Sequence, residues 1–188
     1  MVERTLVLVK PDGVKRALIG KIIARLEIAG MKVVAMKMVV PDKKLAGIHY
    51  IADQKWFIDT GTKSMKAYQE KGIKIKEKTP VELAKKIRGY LIEYIANQPI
   101  VAIVFEGNEA ISVTRKIVGA TEPKRADPST IRGMYSVDSY ECSDSRKQPI
   151  KNIVHASEDK KTADREIAVW FKPSEIIKYE RADQNALY

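Results

Sequence analysis

The sequence predicts an α+β fold, in which helices pack on a four-stranded antiparallel sheet and two inserted segments interrupt the pattern. Three observations support this class. Four short β-branched, apolar runs alternate with segments whose apolar residues recur at helical spacing. Prolines, glycines and polar residues bound each run. Two further stretches have no sustained hydrophobic period, which marks them as excursions from the core.

The first half of the chain predicts two strands and two helices. The strands are the apolar runs Thr5–Val9 and Met31–Val40, and a turn at Pro11–Gly13 follows the first of them. Between the strands, apolar residues on one face predict a helix over Ile19–Ala29. Leu45–Ile51 is the candidate for a short helix after the second strand.

The second half predicts two more strands among three helices. In chain order these elements are a helix from Pro80 to Asn97 capped by Thr79, the strand Pro99–Phe105, a turn at Glu106–Asn108, the helix Ala110–Val118, the strand Asn152–His155 and the helix Lys160–Phe171. The excursions are Ile58–Lys78, which is rich in lysine, and Ala120–Lys151. Because the element order contains a βαββαβ unit, we expect a ferredoxin-like sandwich with helices on one face of the sheet.

The composition suits one basic domain with a substantial core. The 188 residues carry a net charge of +10, which favours anionic partners such as nucleotides, nucleic acid or anionic surfaces. Half of the excess lies in Ile58–Gly89, where nine lysines and arginines stand against four acidic residues. No apolar run reaches the roughly 20 residues that span a bilayer. Cys142 is the only cysteine and the first residues lack a secretory pattern, so we expect a cytoplasmic location.

His155 is the candidate nucleophile. It ends an apolar run and precedes polar residues, as expected where a strand end faces a site. A neutral imidazole is a good nucleophile near neutral pH. Glu166 could bond one ring nitrogen and leave the other free to attack, and Ser157 could support that orientation. Ser157 is also an ordinary residue for the start of a helix.

Three basic residues are candidates for binding phosphate, although each is also compatible with an ordinary surface position. Lys10 ends the first strand and could meet a phosphate as a point charge. Arg115 and Arg132 bracket the second excursion, and paired arginine donors suit phosphate oxygens. The sequence has no glycine-rich phosphate loop, and its two histidines lack metal-ligand spacing. A magnesium ion would therefore arrive with a nucleotide, since Mg²⁺ often keeps its waters and binds substrate phosphates.

Taken together, these residues resemble the nucleoside diphosphate kinase family. The segments that carry the resemblance occur in the family's order and are Glu3–Arg16, His49-Tyr50, Pro99–Gly107, Val118–Pro123, Thr130–Gly133 and Asn152–Ser157. The resemblance implies a ping-pong reaction, in which His155 takes the γ-phosphate of a nucleoside triphosphate and passes it to a nucleoside diphosphate. It also implies Mg²⁺ held through the nucleotide phosphates, with no direct protein ligand, and assembly into homo-hexamers or tetramers.

The resemblance also implies roles for individual residues. By motif position, Lys10 and Tyr50 would contact the transferred phosphate, while Ser157 and Glu166 would support His155. The β- and γ-phosphates would be held by Arg115, Thr121 and Arg132, and the ribose would be contacted by Asn152. Membrane and nucleic-acid partners are not expected. The competing hypothesis is a nucleic-acid-binding module that uses the basic excursion as a patch, but Tyr68 there lacks an aromatic partner at strand spacing.

The sequence departs from the family's pattern in three places, two of which concern the wall that contacts the base. An insertion at about 58–85 follows Trp56-Phe57, so the residue that stacks on the base is Phe57, Trp56 or Ile87. A second insertion at about 139–148 places the other apolar contact near Pro149 or Ile150. Glu158 stands where the family usually has aspartate. For the first insertion we hypothesise an oligomer contact or a cover over the nucleotide entrance. The whole chain is expected to be a single domain, 1–188.

Overall fold

Four strands form one antiparallel sheet in the computed structural model, which describes residues 2–70 and 72–183. The strands are β1 (Val2–Val9), β2 (Lys32–Val39), β3 (Ile100–Asn108) and β4 (Val154–Ala156). Their order across the sheet is β2-β3-β1-β4. This arrangement confirms the ferredoxin-like class, with β3 and β1 in the centre and the three-residue β4 at an edge.

Nine α-helices lie within the described residues. They are α1 (Pro11–Lys15), α2 (Ile19–Ile28), α3 (Lys43–His49), α4 (Gln54–Glu70), α5 (Pro80–Ile95), α6 (Ala110–Val118), α7 (Ile131–Tyr135), α8 (Tyr140–Ser145) and α9 (Lys160–Trp170). Short 3-10 helices occupy Pro123–Arg125 and Pro173–Glu175. None of the helices within 2–70 and 72–183 is both long and apolar enough to cross a membrane.

Helices cover both faces of the sheet, whereas the sequence led us to expect them on one. Val7 and Val9 of β1 pack with α2 and α6, while Leu6 and Leu8 pack on the opposite face with α3, α5 and α9. Thr5–Val9 is therefore buried along its whole length. A strand buried on both faces has a continuous apolar run without alternation, which is the pattern that this segment shows.

Two predicted turns have regular structure. Pro11–Gly13 begins the short helix α1, because proline suits the first helical position, where its missing N–H costs nothing. Glu106–Asn108 continues β3, since these residues pair with Val2–Arg4 of β1. The N-terminal residues of β1, which lie outside the apolar run, extend the ladder beyond the limit that hydrophobicity alone predicts.

The two excursions contain helices and contact each other. Ile58–Lys78 was expected to have weak structure, but most of it forms α4, where Gly61 is the only buried residue. Gly61 packs against the carbonyl group of Pro80 at the start of α5. The hydroxyl of Tyr68 in α4 donates to Asp144 Oδ1 in α8 at 2.5 Å. We call α4 together with residues 72–79 the helical arm. It joins the second inserted segment through this hydrogen bond.

Candidate active site

The site forms where β1 ends beside β4. His155 of β4 pairs with Leu8, so its side chain lies next to the end of β1. The backbone N–H of Lys10 donates to the carbonyl of Ile153 at 2.7 Å, which fixes the chain just beyond both strands. Ile153 has a φ of 69°, and its N–H donates to Asp12 Oδ2 at 3.1 Å. The buried Lys10 and the partly exposed His155 are therefore held by the sheet and by α1.

Glu166 orients the His155 ring. Its Oε2 lies 2.9 Å from His155 Nε2 and accepts from the Ser157 hydroxyl at 2.6 Å. Burial alone would raise the pKa of Glu166, but the attraction of His155 and these hydrogen bonds outweigh it and hold the pKa at about 2. An ionised carboxylate only accepts hydrogen bonds. His155 therefore carries its proton on Nε2, and Nδ1 keeps the lone pair.

Lys10 and Asn152 form a second buried pair. Lys10 is 5% exposed, and its Nζ donates to Asn152 Oδ1 at 2.7 Å. Asn152 Nδ2 in turn donates to the carbonyl of Thr121 at 2.8 Å. Burial lowers the pKa of Lys10 to about 7, the positive charge of Arg132 adds to this effect, and Asp12 partly opposes it. A proton on Lys10 is thus held weakly at neutral pH until an anion arrives.

Arg132 holds together the backbone segments around the site. Its guanidinium donates to the carbonyls of Gly119, Val154 and Asn152 at 2.8, 2.8 and 3.3 Å. It lies in the first turn of α7, which the hydroxyl of Thr130 caps. Burial lowers the pKa of Arg132 to about 10, and the charge of nearby Arg115 contributes. Arg132, which we expect to bind phosphate, therefore also stabilises the position of β4.

Two clefts open near these residues. One, of about 460 Å³, is lined by Tyr94, whose ring lies 5.5 Å from Lys10 Nζ. The other residues along this cleft include Pro11, Asp12, Lys15, Tyr90, Gln98 and Pro149. The second cleft, of about 510 Å³, is lined by Glu3, Ile111, Ser112, Arg115, Glu158 and Lys160. The exposed Arg115 therefore reaches open space, whereas Lys10 lies behind the wall of the first cleft.

His49 contacts the candidate nucleophile, although no role was predicted for it. It is 1% exposed, and its ring centroid lies 4.8 Å from that of His155. Trp170 Nε1 donates to His49 Nδ1 at 3.2 Å. Burial lowers the pKa of His49 well below its usual range, and repulsion from His155 adds to the effect. Since an indole N–H only donates, neutral His49 carries its proton on Nε2.

The donor set of this cluster does not suit a metal ion. Ligand-type atoms of His49, His155 and Glu166 all lie within 4.8 Å of one another. A histidine ligand must offer a lone pair to the metal. His49 has its lone pair on Nδ1, where Trp170 donates, and His155 directs a proton at Glu166. The cluster is therefore a hydrogen-bonded orienting group for His155.

Most of the expected site residues come together. The contacts described above form a network of two groups. Lys10, Thr121, Arg132 and Asn152 make up one group, and His155, Ser157 and Glu166 make up the other, with Tyr50 beside His49 at 4.6 Å between ring centroids. Phe57 lies instead on α4, where its ring meets Trp56 at 5.4 Å. It therefore belongs to the helical arm and not to this network. Arg88, Arg165 and Trp170 were not singled out in the sequence, and His49 occurred in a family motif without an assigned role.

Comparison with known proteins supports a single family. The family model described as nucleoside diphosphate kinase matches residues 3–90 and 62–176. The nucleoside diphosphate kinase of Pyrobaculum aerophilum is 43% identical over 180 residues, which cover 94% of this chain and 98% of that protein. A crystal structure of an NDP kinase from the same organism superposes with a TM-score of 0.92 at 40% identity, covering 95% of this chain and 100% of that one. A Borrelia burgdorferi enzyme, solved as a transition state mimic with vanadate and ADP, has a TM-score of 0.81 at 38% identity and covers 98% and 96%.

Proposed function

The chain belongs to the nucleoside diphosphate kinase family, and from this premise we propose that His155 Nδ1 is the atom that carries the phosphoryl group. The activity is phosphoryl transfer from a nucleoside triphosphate to a nucleoside diphosphate. The observation that carries the assignment is the fixed tautomer of His155. Because Glu166 accepts from Nε2, the lone pair of the ring is directed away from the carboxylate.

In the first half-reaction, the Nδ1 lone pair attacks the γ-phosphorus and the bond to the β–γ bridging oxygen breaks. The nucleoside diphosphate leaves with that electron pair, and an N–P bond remains on His155. In the second half-reaction, a terminal oxygen of another diphosphate attacks the phosphorus and the N–P bond breaks. The Nε2 proton stays between His155 and Glu166 throughout, so Glu166 stabilises the positive charge that develops on the ring.

The surrounding groups supply positive charge and hydrogen-bond donors. Lys10 contacts the transferred phosphoryl group, and Arg115 and Arg132 hold the β- and γ-phosphates together with Thr121. The hydroxyl of Tyr50 is buried and has no partner among the described residues, and it donates to the transferred phosphoryl group. Burial and the charge of Glu166 raise the pKa of Tyr50, so the hydroxyl keeps its proton. Phosphoryl transfer depends mainly on such positioning and charge.

Magnesium is the cofactor that we propose. Both oxygens of Glu166 are engaged, Oε2 by His155 and Ser157 and Oε1 by Arg165. The carboxylate nearest to His155 is therefore not free to ligate an ion, which fits an ion that enters on the nucleotide. When bound, Mg²⁺ neutralises charge on the β- and γ-phosphates. Glu158 lines the second cleft together with Arg115.

The proposal extends to the whole chain. Residues 1–188 form a single nucleoside diphosphate kinase domain with insertions at about 58–85 and about 139–148. The two family matches overlap at 62–90, which supports extra residues there. The protein works as a cytoplasmic homo-hexamer or tetramer, and Met36, Met38 and Val40 offer exposed apolar contacts at the edge strand β2. The first insertion serves as an oligomer contact or a cover over the nucleotide entrance.

The experiment is brief incubation with γ-labelled triphosphate. The protein should acquire an acid-labile, base-stable label, and a different nucleoside diphosphate should release it as the corresponding triphosphate. His155→Gln retains a side chain of similar size but has no ring nitrogen, so labelling and exchange should fall by at least about 10⁴-fold. Thermal unfolding of the variant checks that it is folded. Exchange by a folded His155→Gln protein would exclude this mechanism.

A further inference from the structure

The C-terminal end of α3 carries Tyr50 and His49 into the site. The last carbonyl groups of a helix have no partner within the helix and need one elsewhere. α3 has only seven residues, and isolated helices of that length are unstable in water. The position of Tyr50 therefore depends on what holds this end of the helix.

Two arginines from different helices hold it. Arg88 of α5 donates from Nε to the carbonyl of Tyr50 at 2.6 Å and from Nη2 to that of Gly47 at 2.8 Å. Arg165 of α9 donates from Nη1 to the carbonyls of His49 and Ile48 at 3.2 and 3.4 Å. The four carbonyls from Gly47 to Tyr50 thus all accept from a guanidinium. A positive charge at a helix C-terminus also interacts favourably with the helix dipole.

The Arg88 contact bears most directly on Tyr50. Nε and Nη2 lie on one edge of the planar guanidinium, so the two hydrogen bonds fix both the distance and the rotation of the helix end. One of the two carbonyls belongs to Tyr50 itself. The direction of the Tyr50 side chain follows from the backbone at that residue, where the helix ends with φ −87° and ψ 39°.

We propose that Arg88 is a positioning residue for phosphoryl transfer, which places the Tyr50 hydroxyl by holding the end of α3. The inference rests on the proposed role of His155 as phosphate carrier. Arg165 secures the same end from the opposite side and reaches Glu166 Oε1 at 3.4 Å. Arg88 touches no reacting atom and acts through Tyr50. Since α4 packs on α5, the same contact connects the helical arm to the site.

A double-mutant cycle tests this role. The variants are Arg88→Leu, Tyr50→Phe and the combination, and the measurement is the maximal rate of phosphoenzyme formation at saturating triphosphate in a single turnover. Arg88→Leu should slow this rate by about 10- to 100-fold, because a misplaced group loses most of its effect. It should change the triphosphate concentration for half-maximal rate much less. In the Tyr50→Phe background, Arg88→Leu should add less than about a twofold loss.

If the rate loss of the double variant equalled the product of the two single losses, the proposal would be overturned. That result would show that Arg88 acts independently of the Tyr50 hydroxyl. Arg88→Lys should restore part of the rate that Arg88→Leu loses. A lysine presents one point charge in place of a two-pronged edge, so its rate should fall between those of the wild type and Arg88→Leu. A rate for Arg88→Lys no better than for Arg88→Leu would also contradict the proposal.

Lys85→Leu is the matched control, because Lys85 is exposed on the same helix and lies outside the site. Its rate should equal that of the wild type. Thermal unfolding identifies any variant that fails to fold, and Arg88→Gln, which keeps one donor, then replaces Arg88→Leu in the cycle. The result is independent of the His155 test. A multiplicative cycle together with an inactive His155→Gln protein would remove the role of Arg88 and leave the proposed function intact.

Discussion

The side chains around His155 differ in protonation because they differ in the partners that compensate for burial. His49 is neutral because burial lowers its pKa and Trp170 donates to it. Glu166 is equally buried but ionised, because His155 and Ser157 both stabilise its charge. Of these two buried groups, only the one with hydrogen-bond donors fixed beside it stays ionised, as expected for groups transferred out of water. The outcome is one fixed carboxylate and one free ring nitrogen.

Lys10 lacks such a fixed anion, so nucleotide binding should change its protonation. With a pKa of about 7, Lys10 is largely neutral in the free protein near pH 8. A polyphosphate favours the charged form, and binding should therefore take up close to one proton more in the wild type than in Lys10→Met. The affinity of the wild type should weaken as the pH rises above about 7. Calorimetry of nucleoside diphosphate binding in buffers of different ionisation heat measures this difference.

Lys21→Met is the control for that experiment, since Lys21 is exposed on α2 and should leave proton uptake at the wild-type value. Equal uptake by the wild type and Lys10→Met would show that Lys10 is already fully charged in the free protein. The comparison between proteins also removes the protons that the nucleotide itself exchanges with the buffer.

Sequence motifs singled out candidate reacting residues more readily than the residues that hold them. His155, Lys10 and Asn152 occur in short motifs whose order is specific, so they could be proposed before the structure. Arg88 could not, because its partners are backbone carbonyls of α3, which any sequence presents. His49 was passed over for a related reason. The His49-Tyr50 pair belongs to the family's pattern, but the pattern does not show what the imidazole bonds to, because its partner Trp170 lies far along the chain.

At the level of elements, hydrophobic patterning located the parts of the chain that bury a face. α2 and α6 were predicted to within a residue because each buries regularly spaced apolar side chains. α4 was missed because its contact surface is formed around a glycine, Gly61, and most of its other residues face solvent or lie at partial exposure. Helices that pack through small residues leave little hydrophobic signal. The same holds for α8, whose cap Ser139 is its clearest sequence feature.

The close approach at Gly61 makes a prediction about the helical arm. A methyl group at Gly61 would overlap the carbonyl of Pro80, so Gly61→Ala should weaken the packing of α4 on α5 by about 1–3 kcal/mol. Gly89→Ala is the matched control, because a Cβ there meets nothing within 4 Å. Alanine in place of glycine in a helix should stabilise α5 by about 0.5–1 kcal/mol.

Amide hydrogen exchange measures both effects. Because α4 packs mainly on α5, Gly61→Ala should speed exchange within Gln54–Glu70 by about 5- to 160-fold while β1 stays protected. Gly89→Ala should leave α4 exchange unchanged or slower. Uniformly faster exchange through β1 in Gly61→Ala would mean that the arm is part of the global folding unit, contrary to this prediction.

For the molecule as a whole, the positive charge should guide anionic nucleotides to the site. The net charge is +10, and the helical arm contributes a row of lysines. Lys74, Lys76 and Lys78 are exposed at alternate positions of a segment without regular secondary structure, in which Ile73 and Ile75 are half-buried. Between them, Glu77 pairs with Lys86 of α5 at 2.7 Å, and one helical turn later Tyr90 lines the first cleft. The row therefore lies beside α5, the helix whose Tyr90 and Tyr94 line the first cleft.

Charge of this kind accelerates encounter and is screened by salt, because the Debye length falls from about 14 Å at 50 mM to about 4 Å at 500 mM. We expect kcat/KM for the triphosphate to fall about three- to tenfold over that range while kcat stays constant. Glutamine at Lys74, Lys76 and Lys78 should halve the slope of log kcat/KM against ionic strength. Glutamine at three exposed lysines elsewhere, Lys21, Lys44 and Lys178, should change it less, since distant charges are screened. Equal slopes for the two triple variants would assign the effect to net charge alone and remove the arm from nucleotide capture.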